Sequence, residues 1–305
     1  MTRRPPAAAP SLLLALGLAL SLVAGCTPAP VTSDRLPVIA SFYTLAEFAR
    51  RIGSDRVDVR VLVPPGVEPH DYEPSPRDVV AMGRAGLVIY NGAGLEPWID
   101  RLLPGLPSSV VRVNATEGMP LLTPARASGG ADPHVWLDPV RASEQAQRIL
   151  AGLIRVDPEG RGAYETNAQA LRSALQELDR RFEQGLRACR RKEFVTTHAA
   201  FGYLAARYGL TQVAVGGLDP EGEPSPARQR QVIEFIRRSG AEVVYSETLI
   251  SPRAAEALAR ETGARVAVLN PLEGVTPDEQ GRGLDYFAVM DANLSALVDG
   301  LDCDR

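Results

Sequence analysis

The 305-residue chain carries 33 Lys and Arg against 37 Asp and Glu, a formal charge of −4, and is 45% hydrophobic and 23% charged. This composition is that of a globular protein, and the acidic balance, with no basic patch interleaved with aromatics, argues against a nucleic-acid partner. Only three histidines and three cysteines are present, so each position they occupy carries information.

Taken in chain order, Arg3 and Arg4 precede an uninterrupted apolar stretch, Ser11–Ala24. It falls short of the roughly 20 residues a membrane helix needs and has the length of a signal-peptide core. It ends in "VAGC", Val23 to Cys26, which resembles the lipobox of bacterial lipoproteins, where the cysteine is acylated and becomes the mature N-terminus. The alternative is an ordinary secretory signal with an incidental Cys26. Each buried acyl CH₂ contributes about 0.8 kcal/mol to holding such a protein at a membrane. Residues 1–26 thus read as a lipoprotein signal peptide with a lipidated Cys26, and 27–35 as a polar, proline-containing tether.

Beyond the tether, short β-branched runs alternate with helical stretches. Leu36–Phe42, Val57–Val63, Gly86–Gly92 and Ser109–Asn114 form a first set of strand-like segments, separated by helix-like runs such as "TLAEFARRI" and "SPRDVVAMGRA". Glu193–Thr197, "LTQVAV", "AEVVYS" and Ala264–Asn270 form a second set, separated by "AAFGYLAARY" and "PARQRQVIEFIRRS" among others. This alternation predicts an α/β fold: two lobes, each with a mostly parallel four-stranded sheet flanked by helices. No sequence repeat makes the lobes copies.

Between the two sets, Tyr164, Ala168, Leu171, Leu175, Leu178, Phe182 and Leu186 recur at three- and four-residue steps, the apolar stripe of one long helix. Asp157 can cap its start, with Pro158 at the first helical position. The predicted division is 36–156 for the N-terminal lobe, 157–189 for the joining helix and 190–305 for the C-terminal lobe. A stiff helical joint predicts smaller lobe movements than flexible loops would allow. An exported chain sits where disulfides persist, so Cys189 and Cys303 are expected to pair and tie the chain end to the start of the second half.

The histidines sit at turns. His70 lies in "VLVPPGVEPHDYEPSP" after the second strand, His134 in "DPHVWLDP" before a helix, and His198 in "EFVTTHAAFGY" where a strand meets a helix. Any one of them alone is more simply a structural loop residue. All three at strand–helix or loop–helix turns is different, because open α/β sheets place ligands at the carboxyl ends of their strands. Neutral imidazole is the commonest metal ligand and suits zinc, copper, iron or nickel. A fourth ligand is sought in the second lobe. "VLNPLEGVTPDE" offers Asn270 and Glu273, Glu247 in "YSETLISP" competes, and water or no fourth ligand is the remaining alternative. Glu273 with three imidazoles makes an N₃O tetrahedron suited to Zn²⁺. Glu247 otherwise serves as an acceptor orienting an imidazole, while Asp278 and Glu279 read as solvated loop charges. "PPGVEPHDYEPSP" is proline-rich enough to hold His70 stiffly. Protonation of imidazoles is expected to weaken metal binding as pH falls through roughly 6–7.

"VPPGVEPHDYEPSPRD", "NGAGLEPW", "DPHVWLDP", "FVTTHAAFGYLAARYGL", "SETLISP" and "LNPLEGVT" together resemble, in this order, the solute-binding lipoproteins of high-affinity zinc-uptake ABC transporters. These belong to the metal-binding cluster A-I, which also contains manganese-binding relatives and streptococcal surface adhesins. The resemblance runs from Leu36 to the chain end. It implies two α/β lobes joined by one long helix, metal in the cleft between them, and His70, His134 and His198 as ligands, with Glu273 fourth through the "NPLE" motif. Other members have aspartate where Asn270 stands.

Manganese-type members resemble a two-histidine, two-carboxylate site. His198 in the third position here favours zinc over that harder ion. The His-rich loop of many zinc members has no counterpart in Thr116–Asp132, which contains no histidine. The function implied is extracytoplasmic capture of Zn(II) between the lobes and delivery to an ABC permease by a monomeric protein lipid-anchored to a bacterial membrane. Alternatives are a manganese or other divalent-metal binder, or a metal-binding surface adhesin. A zinc hydrolase is disfavoured: no "HExxH" or comparable catalytic run exists, and a ligating Glu273 leaves no open position on the metal.

Overall fold

In the first half of the chain β1 (Leu36–Ala40), β2 (Val57–Val61), β3 (Leu87–Tyr90) and β4 (Val111–Asn114) pair in parallel in the order β2-β1-β3-β4. In the second half β5 (Glu193–Thr196), β6 (Thr211–Ala214), β7 (Val243–Ser246) and β8 (Arg265–Val268) pair in parallel in the equivalent order, β6-β5-β7-β8. The computed structural model describes residues 1–2, 35–123, 130–220, 222 and 224–304. Cys26, most of the predicted signal peptide, the tether up to Asp34 and residues 124–129 lie outside the described residues. No helix among the described residues is long and apolar enough to cross a membrane.

Helices cover both faces of each sheet, as all-parallel sheets require. The first lobe has α1 (Tyr43–Gly53), α2 (Pro76–Arg84), the short α3 (Ile99–Leu102) and α4 (Pro139–Val156). The second has α6 (Gly202–Arg207), α7 (Pro226–Ser239), α8 (Arg253–Thr262), α9 (Pro277–Gly281) and α10 (Tyr286–Gly300). Alternation along β1 shows the two-sided burial: Val38 and Ala40 join the main core, and Ile39 faces a separate cluster with Val88, Met82 and Trp98. In the second lobe Phe194 and Tyr245 face the main core, whereas Val195 and Val244 pack under α7 and α8 with Val232, Ile236 and Leu258.

The joining helix, α5 (Arg161–Leu186), buries all seven residues of the predicted stripe, Tyr164 through Leu186. Its start differs from expectation. Asp157 accepts from the Gly160 amide and caps a 3-10 turn, Pro158–Gly160, and the α-helix begins only at Arg161. The other oxygen of that carboxylate accepts from Arg56 and from the Tyr164 hydroxyl, both at 2.7 Å. Along α5 runs one continuous core, from Phe42 and Phe48 through Leu175 and Phe182 to Phe194 and Met290. Arg35–Arg305 accordingly forms one compact unit. Cys189 and Cys303 are disulfide-bonded, fastening the chain end beside the C-terminus of α5.

Candidate metal centre

Every predicted ligand emerges from the carboxyl end of a strand or the loop beyond it. His70 follows β2 and Glu273 follows β8; His198 follows β5 and Glu247 follows β7. His134 lies beyond β4, at the entry to the short helical turn that leads into α4. Three imidazole nitrogens approach one carboxylate oxygen. Glu273 Oε1 is 2.7 Å from His134 Nε2 and 3.5 Å from the Nε2 atoms of both His70 and His198. His134, His198 and Glu273 are buried, and the His70 side chain is 11% exposed, the nearest of the four to solvent.

A tetrahedral zinc with Zn–N and Zn–O of about 2.0–2.1 Å separates neighbouring ligand atoms by about 3.3–3.4 Å. Two of the three edges to Glu273 Oε1, at 3.5 Å, are close to that length, and the third, at 2.7 Å, is a hydrogen bond. His70 Nε2, His198 Nε2 and Glu273 Oε2 are buried without a hydrogen-bond partner. An unpartnered buried polar atom costs about 1–3 kcal/mol; His70, His134 and Glu273 place ligand atoms within 4.8 Å of one another, as do His198, Glu247 and Glu273, so Glu273 is common to both groups that could hold a cation.

The far side of each buried ring is fixed. His134 Nδ1 donates to Asp132 Oδ1 at 2.8 Å, and the same oxygen accepts from the His134 amide at 3.0 Å. His198 Nδ1 donates to Glu247 Oε1 at 2.6 Å, an oxygen that also accepts from the Thr197 hydroxyl at 2.9 Å. Carboxylates behind imidazoles hold the tautomer that presents Nε2 to the metal and raise its basicity. Glu247 thus holds the Nδ1 side of His198, while its carboxylate also lies in a group with His198 and Glu273 whose ligand atoms are within 4.8 Å of one another. Asn270 is not directed at the imidazoles: its Oδ1 accepts from the Leu272 amide and its Nδ2 donates to Glu279 Oε1. Glu279 departs from the expected solvated charge. It is half-buried and accepts from the Thr276 amide in the capping box of α9, while Asp278 stays exposed, paired with Arg282.

Burial pushes the imidazolium forms of His134 and His198 down, but their carboxylate neighbours more than offset it. His134 is raised by Asp132 and Glu273, and His198 well above the usual histidine value by Glu247 and Glu273. Glu273 is buried, which pushes it up, yet the imidazoles hold it well below the usual carboxylate range. Glu68, half-buried in the His70 loop, is pushed up to about 9 by burial and by the Glu273 charge.

Sequence reasoning assigned no role to several supports of the site. The grip of Asp132 on the His134 ring follows from the fold. Asn91, after β3, is buried and donates to the Pro133 carbonyl at 3.0 Å, fixing the residue before His134. Glu96 accepts from Ser41 Oγ and from the Asn91 and Gly92 amides; burial pushes its carboxyl up to about 6. His70 is tethered two residues on, where the Tyr72 hydroxyl donates to Asp78 Oδ2 at 2.9 Å. Leu272, just before Glu273, has φ +59°, a left-handed conformation that costs a side-chain-bearing residue about 1–2 kcal/mol.

Residues 38–300 match the family model described as zinc-uptake complex component A, periplasmic. The chain belongs to this zinc-uptake family. It is 38% identical over 281 residues to the high-affinity zinc uptake system protein ZnuA of Bacillus subtilis, covering 88% of each chain. It is 37% identical to the zinc-binding lipoprotein AdcA of Streptococcus pneumoniae, spanning 96% of this chain and 61% of AdcA. The Zn(II)-bound ZnuA-like domain of that AdcA superposes with a TM-score of 0.78 at 38% identity, over 88% of this chain and 99% of the domain. The laminin-binding protein Lmb of Streptococcus agalactiae, described as a bifunctional protein with adhesin and metal-transporting activity, superposes with a TM-score of 0.80 at 33% identity, over 88% and 99%. The two four-stranded parallel sheets and the long helix between them are the fold of this family.

Proposed function

We propose that this protein captures Zn(II) outside the cytoplasmic membrane and hands it to an ABC permease, with His70, His134, His198 and Glu273 as ligands. The observation that carries the reading is the approach of three Nε2 atoms to Glu273 Oε1 at 2.7–3.5 Å, in a buried site whose outward ring nitrogens are held by Asp132 and Glu247. Three imidazoles and one carboxylate favour zinc over manganese, which prefers a harder, oxygen-rich set. Relatives that bind zinc and function in its uptake support the same choice.

His70 and His134 come from the first lobe, His198 and Glu273 from the second. A zinc ion bound to all four bridges the lobes and favours the closed arrangement by its differential affinity for it. The carboxylate neutralises one charge of the dication, and Asp132 and Glu247 favour neutral imidazoles with Nδ1 protonated once zinc displaces the Nε2 protons. With four protein ligands the metal has no open position for an activated water, so the site suits transport rather than hydrolysis. Lipidation at Cys26 anchors the domain to the membrane beside its permease, with residues 27–35 as tether.

The test is direct. Replacing any one of the three histidines by alanine abolishes tight zinc binding in competition with a chromophoric chelator, and Glu273→Ala gives a smaller loss. A His198→Ala protein with unchanged affinity overturns the ligand set. A deletion strain that takes up zinc normally from zinc-poor medium overturns the transport role and leaves the adhesin-type alternative.

A further inference from the structure

The residue that completes the site belongs by sequence to the second lobe, yet its turn is held largely by the first. Asn270 is fastened to α10: its amide donates to Asn293 Oδ1 at 2.8 Å and its carbonyl accepts from Asn293 Nδ2 at 2.7 Å. From Pro271 onward the carbonyls turn to first-lobe donors. The Trp136 indole N–H donates to the Pro271 carbonyl at 2.7 Å, and the Thr44 hydroxyl to the Leu272 carbonyl at 2.7 Å. The Gly66 amide donates to the Val275 carbonyl at 2.8 Å. Thr44, Trp136 and Leu272 are all fully buried.

Leu272 is where the chain turns left-handed, at φ +59°. Strained backbone of this kind persists only where its surroundings over-determine it. Here the Leu272 amide is held by Asn270 Oδ1 at 2.8 Å and its carbonyl by Thr44, so both faces of the strained residue are clamped. The next residue is Glu273, whose aim depends directly on that turn. We propose that Thr44 and Trp136 are positioning residues for Glu273: by donating to the Leu272 and Pro271 carbonyls they hold the left-handed turn that directs its carboxylate at the three imidazoles.

Neither residue touches the metal, and each acts through Glu273. Trp136 is suited to this role, because its ring packs against Phe42 and against the His134 ring while its N–H reaches across to the second lobe. Thr44 sits in the first turn of α1, so its hydroxyl is carried by a buried helix rather than a loop.

This inference rests on Glu273 being a zinc ligand, and a double-mutant cycle separates the two claims. Zinc affinity is measured by chelator competition for Thr44→Val, Thr44→Ser, Trp136→Phe and Glu273→Ala, and for each of the first three combined with Glu273→Ala. T44V, which keeps the shape and loses the donor, weakens zinc about tenfold. T44S keeps the hydroxyl and recovers most of the affinity. W136F moves in the same direction as T44V and carries the comparison should T44V fail to fold. In the E273A background T44V adds no further loss, and W136F adds only what its packing against the His134 ring contributes. Cobalt(II) loading gives an independent readout: the visible d–d bands change in T44V and not in T44S, a change in the metal's surroundings that a general loss of stability does not produce. T44V binding zinc like the unmodified protein, with E273A weakened, overturns this inference alone. A T44V loss that persists undiminished in E273A also overturns it, because Thr44 then acts elsewhere. An E273A protein of unchanged affinity overturns the ligand reading and this inference with it.

Discussion

Glu247→Gln isolates the charge behind His198. The carboxylate oxygen there accepts from His198 Nδ1 at 2.6 Å and from Thr197 Oγ1 at 2.9 Å, and a glutamine carbonyl can accept both, so the geometry survives and only the negative charge goes. Partners behind metal-bound imidazoles are typically worth about 10–100-fold in metal affinity, or about 1.4–2.7 kcal/mol. Because Glu247 is buried, its charge is poorly screened, and the loss should lie toward the upper part of that range. The same charge helps raise the protonation of His198 well above the usual value, so it also strengthens the competing proton. The two effects oppose each other differently with pH. Near pH 8.5 proton competition is weakest and E247Q shows its full loss. Toward pH 6 the unmodified protein is handicapped by its protonated His198 more than the variant is, and the difference shrinks. Competition with a chelator of known pH dependence from pH 6 to 8.5 measures this. A loss that is the same at every pH, or no loss at all, refutes the argument that Glu247 acts through the basicity of His198.

Raised His134 and His198 mean that zinc must displace protons even near neutrality, so calorimetry at pH 7 in two buffers of different ionisation enthalpy should show net proton release that declines toward higher pH. A buffer-independent heat contradicts it. For the zinc-free protein the sign is worked from the same groups. The His198 contribution to stability is fully present below the unfolded value of about 6.5 and is lost as pH rises through the higher folded value. Glu273, held low, contributes above the unfolded carboxylate value and loses this as pH falls through its own. The midpoint of zinc-free thermal unfolding should therefore decrease from pH 6.5 upward, and an increase counts against the imidazolium–carboxylate cluster. Cys189→Ser with Cys303→Ser opens a link spanning 114 residues and should cost about 2–5 kcal/mol in denaturant unfolding. Zinc affinity should stay unchanged, because the bridge precedes β5 and His198 follows it; a parallel loss of affinity contradicts that separation.

The parts of the fold that were legible are those with a strong period. The stripe from Tyr164 to Leu186 has helical spacing that allows one buried face, and α7 occupies the very segment that "PARQRQVIEFIRRS" marks. Strand positions followed from β-branched runs, although each strand is shorter than its run. Asp157 caps the turn as its residue type suggests, but the first turn is 3-10 and the α-helix begins at Arg161, a distinction local cap preferences do not contain. The helix α10 carries apolar residues around most of its surface, with Tyr286, Val289 and Met290 in the core and Phe287, Leu294 and Val298 packed beside it, so it shows no single stripe.

At the site, histidine scarcity and strand-end placement singled out His70, His134 and His198 without any structure. The supports were less visible because they act across long separations. Thr44 reaches Leu272 and Trp136 reaches Pro271, and no local pattern marks a threonine in a first helical turn or an indole as a donor to another lobe. The expected pH window of about 6–7 also shifts upward, because free histidine values omit the carboxylates that folding brings against the rings.

The proposed site holds one zinc ion between the lobes by three imidazoles and one carboxylate. Anomalous diffraction at the zinc edge from crystals of the zinc-loaded protein addresses it most directly. One strong peak is expected, about 2.0–2.2 Å from Nε2 of His70, His134 and His198 and from a carboxylate oxygen of Glu273. A peak coordinated by Glu247 in place of Glu273, or one that leaves His198 unbound, contradicts it.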